Sequence, residues 1–197
     1  MPEKVFDGGL TSGVPVAVGI DQSLTGFAVS VVEIHSPSNH ETWVYKSPYS
    51  GVVRLADIGG WLVDKMEFLE KNNNDIFDVA MEGTVLASNS ALVLGELAAT
   101  VKLMLFDFFM DHSNQHLRVP LQIPPMTLKK YATGKGTAKK QEMLLQIYKR
   151  WGVEFNDDNA ADAYSLARLA GECVTDAIEK QIVSQVKDPK YRDKLPE

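Results

Sequence analysis

The sequence predicts an α/β fold, a mixed five-stranded sheet flanked by helices. Three observations carry this expectation. Short apolar runs rich in β-branched residues recur along the chain, as strands require. Longer segments between them repeat apolar residues at helical spacing. The first three runs follow one another through short polar turns, whereas later ones are separated by helices. The resulting order is β-β-β-α-β-α-β-α-α, and it predicts a mixed sheet with helical cover.

Residues 14–20, VPVAVGI, are apolar enough for a central strand, and Asp21 ends it. After the turn QSLTG, FAVSVVEI is its hairpin partner. SPSNH is read as a turn and ETWVYKS as the third strand. Leu55, Ile58, Leu62, Met66 and Leu69 mark a helix over 51–71, which NNND stops. IFDVAME is the fourth strand, with Glu82 at its end. A helix over about 90–110 is apolar on more than one face, which calls for burial or a partner. Residues 117–123, LRVPLQI, are the fifth strand, and Pro120 suits an edge. A short helix and loop, a helix over 137–151, an Ala-rich helix after NDDN and a last helix over 174–186 follow. Asp157, Asp158 and Asn159 are the candidate caps of the Ala-rich helix. The domain is expected over 14–186, between a flexible arm (1–13) and a mobile tail (187–197).

With 197 residues and 45% hydrophobic composition, the chain can bury one sizeable core. Its single cysteine, Cys173, excludes an internal disulfide and favours a cytoplasmic home. Cys173 is expected as a small buried hydrophobe. No run reaches the roughly 18 apolar residues of a membrane span, and the N-terminus lacks a secretory core. The net charge is -6, but residues 126–150 carry seven basic side chains and one acid, Glu142. Such asymmetry marks a phosphate-facing surface or a solvated helix face.

Three acids stand where an acid is costly unless used. Asp21 and Glu82 each end an apolar strand, and Asp162 sits among alanines in a helix. Clustered carboxylates repel one another and resist desolvation. A divalent cation relieves both, and Mg²⁺ prefers oxygen ligands. Two such ions about 4 Å apart activate a water and stabilise a leaving oxygen at a phosphodiester. Asp158 and Asn159 lie four and three residues before Asp162, on its helix face. Asp158 is preferred as a fourth carboxylate, with Asn159 the neutral alternative; capping is the competing role for Asp157 and Asp158. In the turn DQSLTG, Ser23 and Thr25 are placed to bond the turn or a metal-bound water. The four histidines form no ligand-spacing motif, and His112 and His116 are read as surface residues.

On four stretches the sequence resembles the RuvC-like Holliday-junction resolvases, especially the small phage-type members of this ribonuclease-H-like nuclease superfamily. They are VAVGIDQSLTGFAVSVV, FDVAMEGTVLASNSALVLGELAATVKLML, PLQIPPMTLKKYATGKGTAKKQEML and DDNAADAYSLARLA, in the same order, spanning about 16–170. The resemblance implies a ribonuclease-H-like fold and a homodimer that binds four-way DNA junctions. It further implies cutting of two opposed strands with Mg²⁺ or Mn²⁺. The family's acids fall on Asp21, Glu82 and Asp162. Three residues before the last acid the family commonly has another acid or a histidine; here Asn159 stands there.

The expected mechanism is one-step hydrolysis. Asp21 bridges two ions, Glu82 binds one, and Asp162 with Asp158 completes the other site. Lys129, Lys130, Lys135, Lys139 and Lys140 contact the DNA backbone without reading bases. Lys135, between two glycines, reaches a phosphate with little obstruction, and GKGT is not a full Walker A motif. Tyr131 is expected to pack rather than stack on a base. Leu94, Leu97, Val101, Leu105 and Phe108 form a stripe for a dimer seam or an internal core. The alternatives are a broader debranching nuclease, a noncatalytic junction-binding protein and, from the turn at Asp21, an actin-like ATP-binding protein, for which one lobe is too little.

Overall fold

The computed structural model of the chain describes residues 3–83, 91–111 and 119–193. The strands are β1 (Glu3–Asp7), β2 (Val16–Asp21), β3 (Phe27–Glu33), β4 (Ser36–Tyr45), β5 (Ile76–Glu82) and β6 (Leu121–Ile123). They form one sheet in the order β1-β4-β3-β2-β5-β6. β1, β4, β3 and β2 pair antiparallel, and β5 and β6 join in parallel. The helices are α1 (Gly51–Lys71), α2 (Ala91–Asp111), α3 (Pro125–Thr133), α4 (Lys140–Trp151), α5 (Asp158–Ala170) and α6 (Ala177–Val186).

The alternation of side chains along β2 decides the layers. Val16, Val18 and Ile20 face a core shared with α1 and α2. Ala17 faces a second core, built on α5 and backed by α3, α4 and α6. Gly19 and Asp21 share the face of Ala17. A methyl group on Gly19 would overlap the Ala163 carbonyl and the Ala167 amide, so the α5 backbone lies directly on β2. The alanines at 160, 161, 163 and 167, all fully buried, allow this approach. The result is a mixed sheet between two helical layers, the α/β architecture expected.

Four details differ from the expectation. The sheet has six strands rather than five, because residues 3–7 of the expected arm form β1. Phe6 packs edge-on against Phe155, with ring centroids 5.2 Å apart, and Lys65 binds Glu3 at 2.6 Å. One inward aromatic before Gly8 and Gly9 is too short a pattern to read as a strand. SPSNH is not a turn but part of β4, whose reversal from β3 falls on residues 34–35. β6 covers only 121–123, at the sheet edge that Pro120 suits. The expected mobile tail contains a 3-10 turn over Pro189–Tyr191, with Tyr191 buried and Arg192 paired with Asp78.

The stripe offered for a dimer seam is largely internal. Leu97, Val101, Leu105 and Phe108 are buried in the core beneath α1 and α2. The face of α2 left open carries Leu92, Val93, Leu103, Phe106 and Met110. Cys173 is buried and Tyr131 fully so, as expected. His112 and His116 lie outside the described residues. Among the described residues, no helix is long and apolar enough to cross a membrane.

Candidate active site

β2 and β5 run parallel with Ile20 paired to Met81, and each ends one residue later in an acid. That register brings Asp21 and Glu82 together at one end of the sheet. On Glu82's strand Ala80 belongs to the α5-side core while Val79 and Met81 face the other way, so alternation points Glu82 toward α5. The close seating of α5 on Gly19 then sets Asp162 across from the pair. The three acids line one cavity of about 450 Å³ together with Gln22, Lys129, Lys140, Asp158 and Asn159.

The electrostatics follow from this crowding. Asp21 is 4% exposed. Burial, followed by the charges of Glu82 and Asp162, pushes its carboxyl well above the usual range. It hydrogen-bonds to Glu82, whose own affinity for protons is raised by burial and partly offset by that bond and by Lys129 and Lys140. Burial, then the charges of Glu82 and Asp158, lifts Asp162 to about 7. Acids perturbed in one cleft are a common mark of a functional site.

Asp157 and Asp158 divide their roles. Asp157 caps α5, its Oδ1 accepting from the amides of Asn159 and Ala160 at 3.1 and 3.3 Å. It also pairs with Lys4 at 3.0 Å. Asp158 projects into the cavity and pairs with Lys140, a bond that lowers the Asp158 pKa and raises that of Lys140. The expected fourth ligand and one expected DNA contact therefore hold each other. Among the described residues, no three His, Cys, Asp or Glu side chains already converge on one ion position. The acids stand as the Asp21–Glu82 pair, Asp162 opposite, and Asp158 on Lys140.

Asn159 lines the same cavity, but its amide packs against Gly26, where a Cβ would meet Nδ2 at 2.5 Å. It thereby braces the turn that follows Asp21. Of the five lysines, Lys129 and Lys140 reach the cavity. Lys130 is half-buried, Lys139 is exposed just before α4, and Lys135 lies near Glu142 at 3.5 Å. Arg150, counted in the basic segment, turns away to Asp176 and to Glu179.

One residue was not singled out from sequence. Gln22 is buried, and its Nε2 donates to the Glu82 carbonyl at 2.5 Å, tying the two strand ends. Its Oε1 has no partner among the described residues. Its place directly after Asp21 was the available signal, since a side chain there must share the pocket.

No family model and no curated protein matches the sequence. Solved structures match its fold. Thermus thermophilus RuvC in complex with Holliday junction substrate is 20% identical with a TM-score of 0.59, over 78% of this chain and 91% of that one. A second Thermus thermophilus RuvC structure is 18% identical with a TM-score of 0.59, over 88% and 97%. This chain has the RuvC fold. The yeast mitochondrial Holliday junction resolvase Ydc2 shares it at 14% identity and a TM-score of 0.54, over 90% of this chain and 82% of that one. The shared fold covers 78 to 90% of this chain in these comparisons.

Proposed function

We propose that the chain is a structure-selective endodeoxyribonuclease that resolves four-way DNA junctions by metal-dependent hydrolysis of phosphodiesters. The observation that carries this reading is the convergence of Asp21, Glu82 and Asp162 in one cavity beside Lys129 and Lys140. Its likeness in fold to two RuvC structures and to Ydc2 supports the choice of substrate.

The donor set fits a hard divalent cation. Every acidic donor is a carboxylate oxygen, and the orphaned Gln22 Oε1 adds a neutral oxygen in the same cavity. Asp21, Glu82 and Asp162 would hold Mg²⁺ or Mn²⁺, with Asp158 or Asn159 supplying a fourth donor and two ions per site expected. When bound, such ions neutralise phosphoryl charge and make water acidic enough to attack. Burial and the charges of Glu82 and Asp158 lift the Asp162 carboxyl to about 7, and a bound cation would hold it in the charged form. Gln22 fixes the spacing of the two strand ends. Lys129 positions the scissile phosphate, and Lys140 exchanges Asp158 for a DNA phosphate as the strand enters. Lys130, Lys135 and Lys139 extend the contact along the backbone, by charge and without base readout.

We assign the active form as a homodimer, since paired cuts need two cavities around one junction. The open apolar face of α2 is the seam.

The test is cleavage of a synthetic four-way junction in Mg²⁺ or Mn²⁺, beside linear duplex, Y-junction and single-stranded controls. Paired symmetric nicks that vanish in Asp21→Asn and Asp162→Asn, with binding kept, establish the reading. Equal cutting of every branched form replaces it with a general debranching nuclease. Tight binding without cutting in either metal leaves a junction-binding protein.

A further inference from the structure

A second cavity of about 400 Å³ lies at the other end of α5, lined by Arg168, Trp151, Cys173, Ser38 and His35 among others. Arg168 is six residues beyond Asp162, about 9 Å further along the helix axis. The cavity is also beside the β3–β4 reversal, whereas Asp21 lies where β2 gives way to β3. The two sites therefore lie toward opposite ends of α5.

Arg168 is 4% exposed, yet among the described residues no carboxylate pairs with it. A buried guanidinium ordinarily has an acid opposite it, because its desolvation is costly. Here the nearby acids are committed elsewhere. Glu179 accepts from Arg150, Trp151 and Thr175. Glu172, on the cavity wall, binds Lys187 at 2.8 Å. Among the described residues, Arg168 makes a long hydrogen bond from Nη1 to the Tyr164 hydroxyl, at 3.4 Å, and interacts with the Tyr131 hydroxyl, while its Nε has no acceptor. Its guanidinium lies over the Trp151 ring, 4.3 Å from the centroid. That cation–π contact holds the plane in place and offsets part of the desolvation. Among the described residues it leaves the charge without a carboxylate partner and the Nε–H unused.

We propose that this cavity binds an oxyanion, the phosphate or carboxylate group of a small molecule, with Arg168 as its charged floor. A planar guanidinium fixed against an aromatic ring suits a two-toothed contact with either group. Ser38 and His35, exposed at the rim, add further donors. The distance from Asp162 separates this binding from the cutting chemistry, so the proposal stands apart from the nuclease reading.

The full chain is titrated by calorimetry with inorganic phosphate and, separately, with acetate. The protein is first stripped of metal and dialysed free of chelator, and NaCl at equal ionic strength is the reference. Saturable binding of one anion per chain is expected. It should weaken at least about tenfold in Arg168→Met. Should that variant fail to fold, Ser38→Glu decides, since Ser38 is exposed and its new carboxylate competes for Arg168 from the rim. A Lys135→Ala/Lys139→Ala variant should keep the binding, which separates this cavity from the exposed lysines of the basic segment. Binding of phosphate alone or acetate alone supports the site and identifies the source of the anion. Absence of saturable binding for both, or binding that survives Arg168→Met or Ser38→Glu in a folded protein, overturns it.

Discussion

In the proposed site, Asp21 sets stability against function. Its buried carboxyl sits against two other acids and binds protons far more tightly than usual. Acids with raised pKa values favour the folded state at low pH and lose that advantage as the pH rises through the folded value. For Asp162 this loss runs from about 4 to about 7. Asp21→Asn should therefore raise the melting temperature in EDTA at pH 7.5, by the equivalent of about 1 kcal/mol, while abolishing cutting. Mg²⁺ should stabilise the parent protein and leave the variant unchanged; equal shifts in both would remove Asp21 from the metal site. His40 makes the opposite case. It is buried between Phe155 and Tyr164, and burial lowers its pKa from 6.5 to about 4. The unfolded chain takes up a proton there below pH 6.5, whereas the folded one resists until about 4. Stability is thus intact above 6.5 and falls as the pH drops to 4, by about 3 kcal/mol from this group. Urea midpoints at pH 7 and 4.5 should differ less in His40→Leu than in the parent; identical differences would refute this account of His40.

At the scale of elements, the contact between β2 and α5 is what builds the cavity. At Gly19 on β2 any side chain would strike the α5 backbone. Gly19→Ala should cost about 3 kcal/mol through overpacking and reduce cutting by moving Asp162 away from Asp21. Gly60 is the control, an exposed helical glycine with nothing within 4 Å of an added Cβ. Gly60→Ala should stabilise by about 0.5 kcal/mol. Denaturation midpoints of the pair decide this, and similar effects at both sites would mean that α5 is not seated by Gly19. The helix boundaries of α1 and α2 were legible to within a residue because long amphipathic repeats report themselves. β1 and the start of β4 were not. Their partners lie across the sheet, and neither segment carries enough inward apolar residues to announce a strand alone.

For the whole molecule, charge distribution matters more than the net charge of -6. Junction affinity should fall steeply with salt, and Lys139→Ala should flatten the log–log slope by about one without altering the cleavage pattern. A slope unchanged in that variant would place the DNA elsewhere. The exposed apolar residues of α2 make a second prediction at this scale. Leu103→Lys with Phe106→Lys should convert a dimer to monomers in sedimentation, leaving the core intact because neither side chain belongs to it. A dimer that persists would locate the seam off α2.

The sequence by itself determined the layered α/β architecture, the sites of Asp21, Glu82 and Asp162, and the basic segment near them. These are local signals: an acid ending an apolar strand or set among alanines is anomalous wherever it occurs. Only the tertiary structure decided how the neighbours divide their roles. Asp157 caps while Asp158 enters the cavity and takes Lys140, Asn159 braces Gly26, and Gln22 joins the two strand ends. Helix spacing offers Asp158 and Asn159 the same face as Asp162, so it cannot rank them. The choice rests on which groups lie opposite, across β2, β5 and α4, and residues far apart in the chain supply them. The charge of Arg168 belongs to the same class, since an arginine is anomalous only once the acids around it are seen, among the described residues, to be paired with other cations.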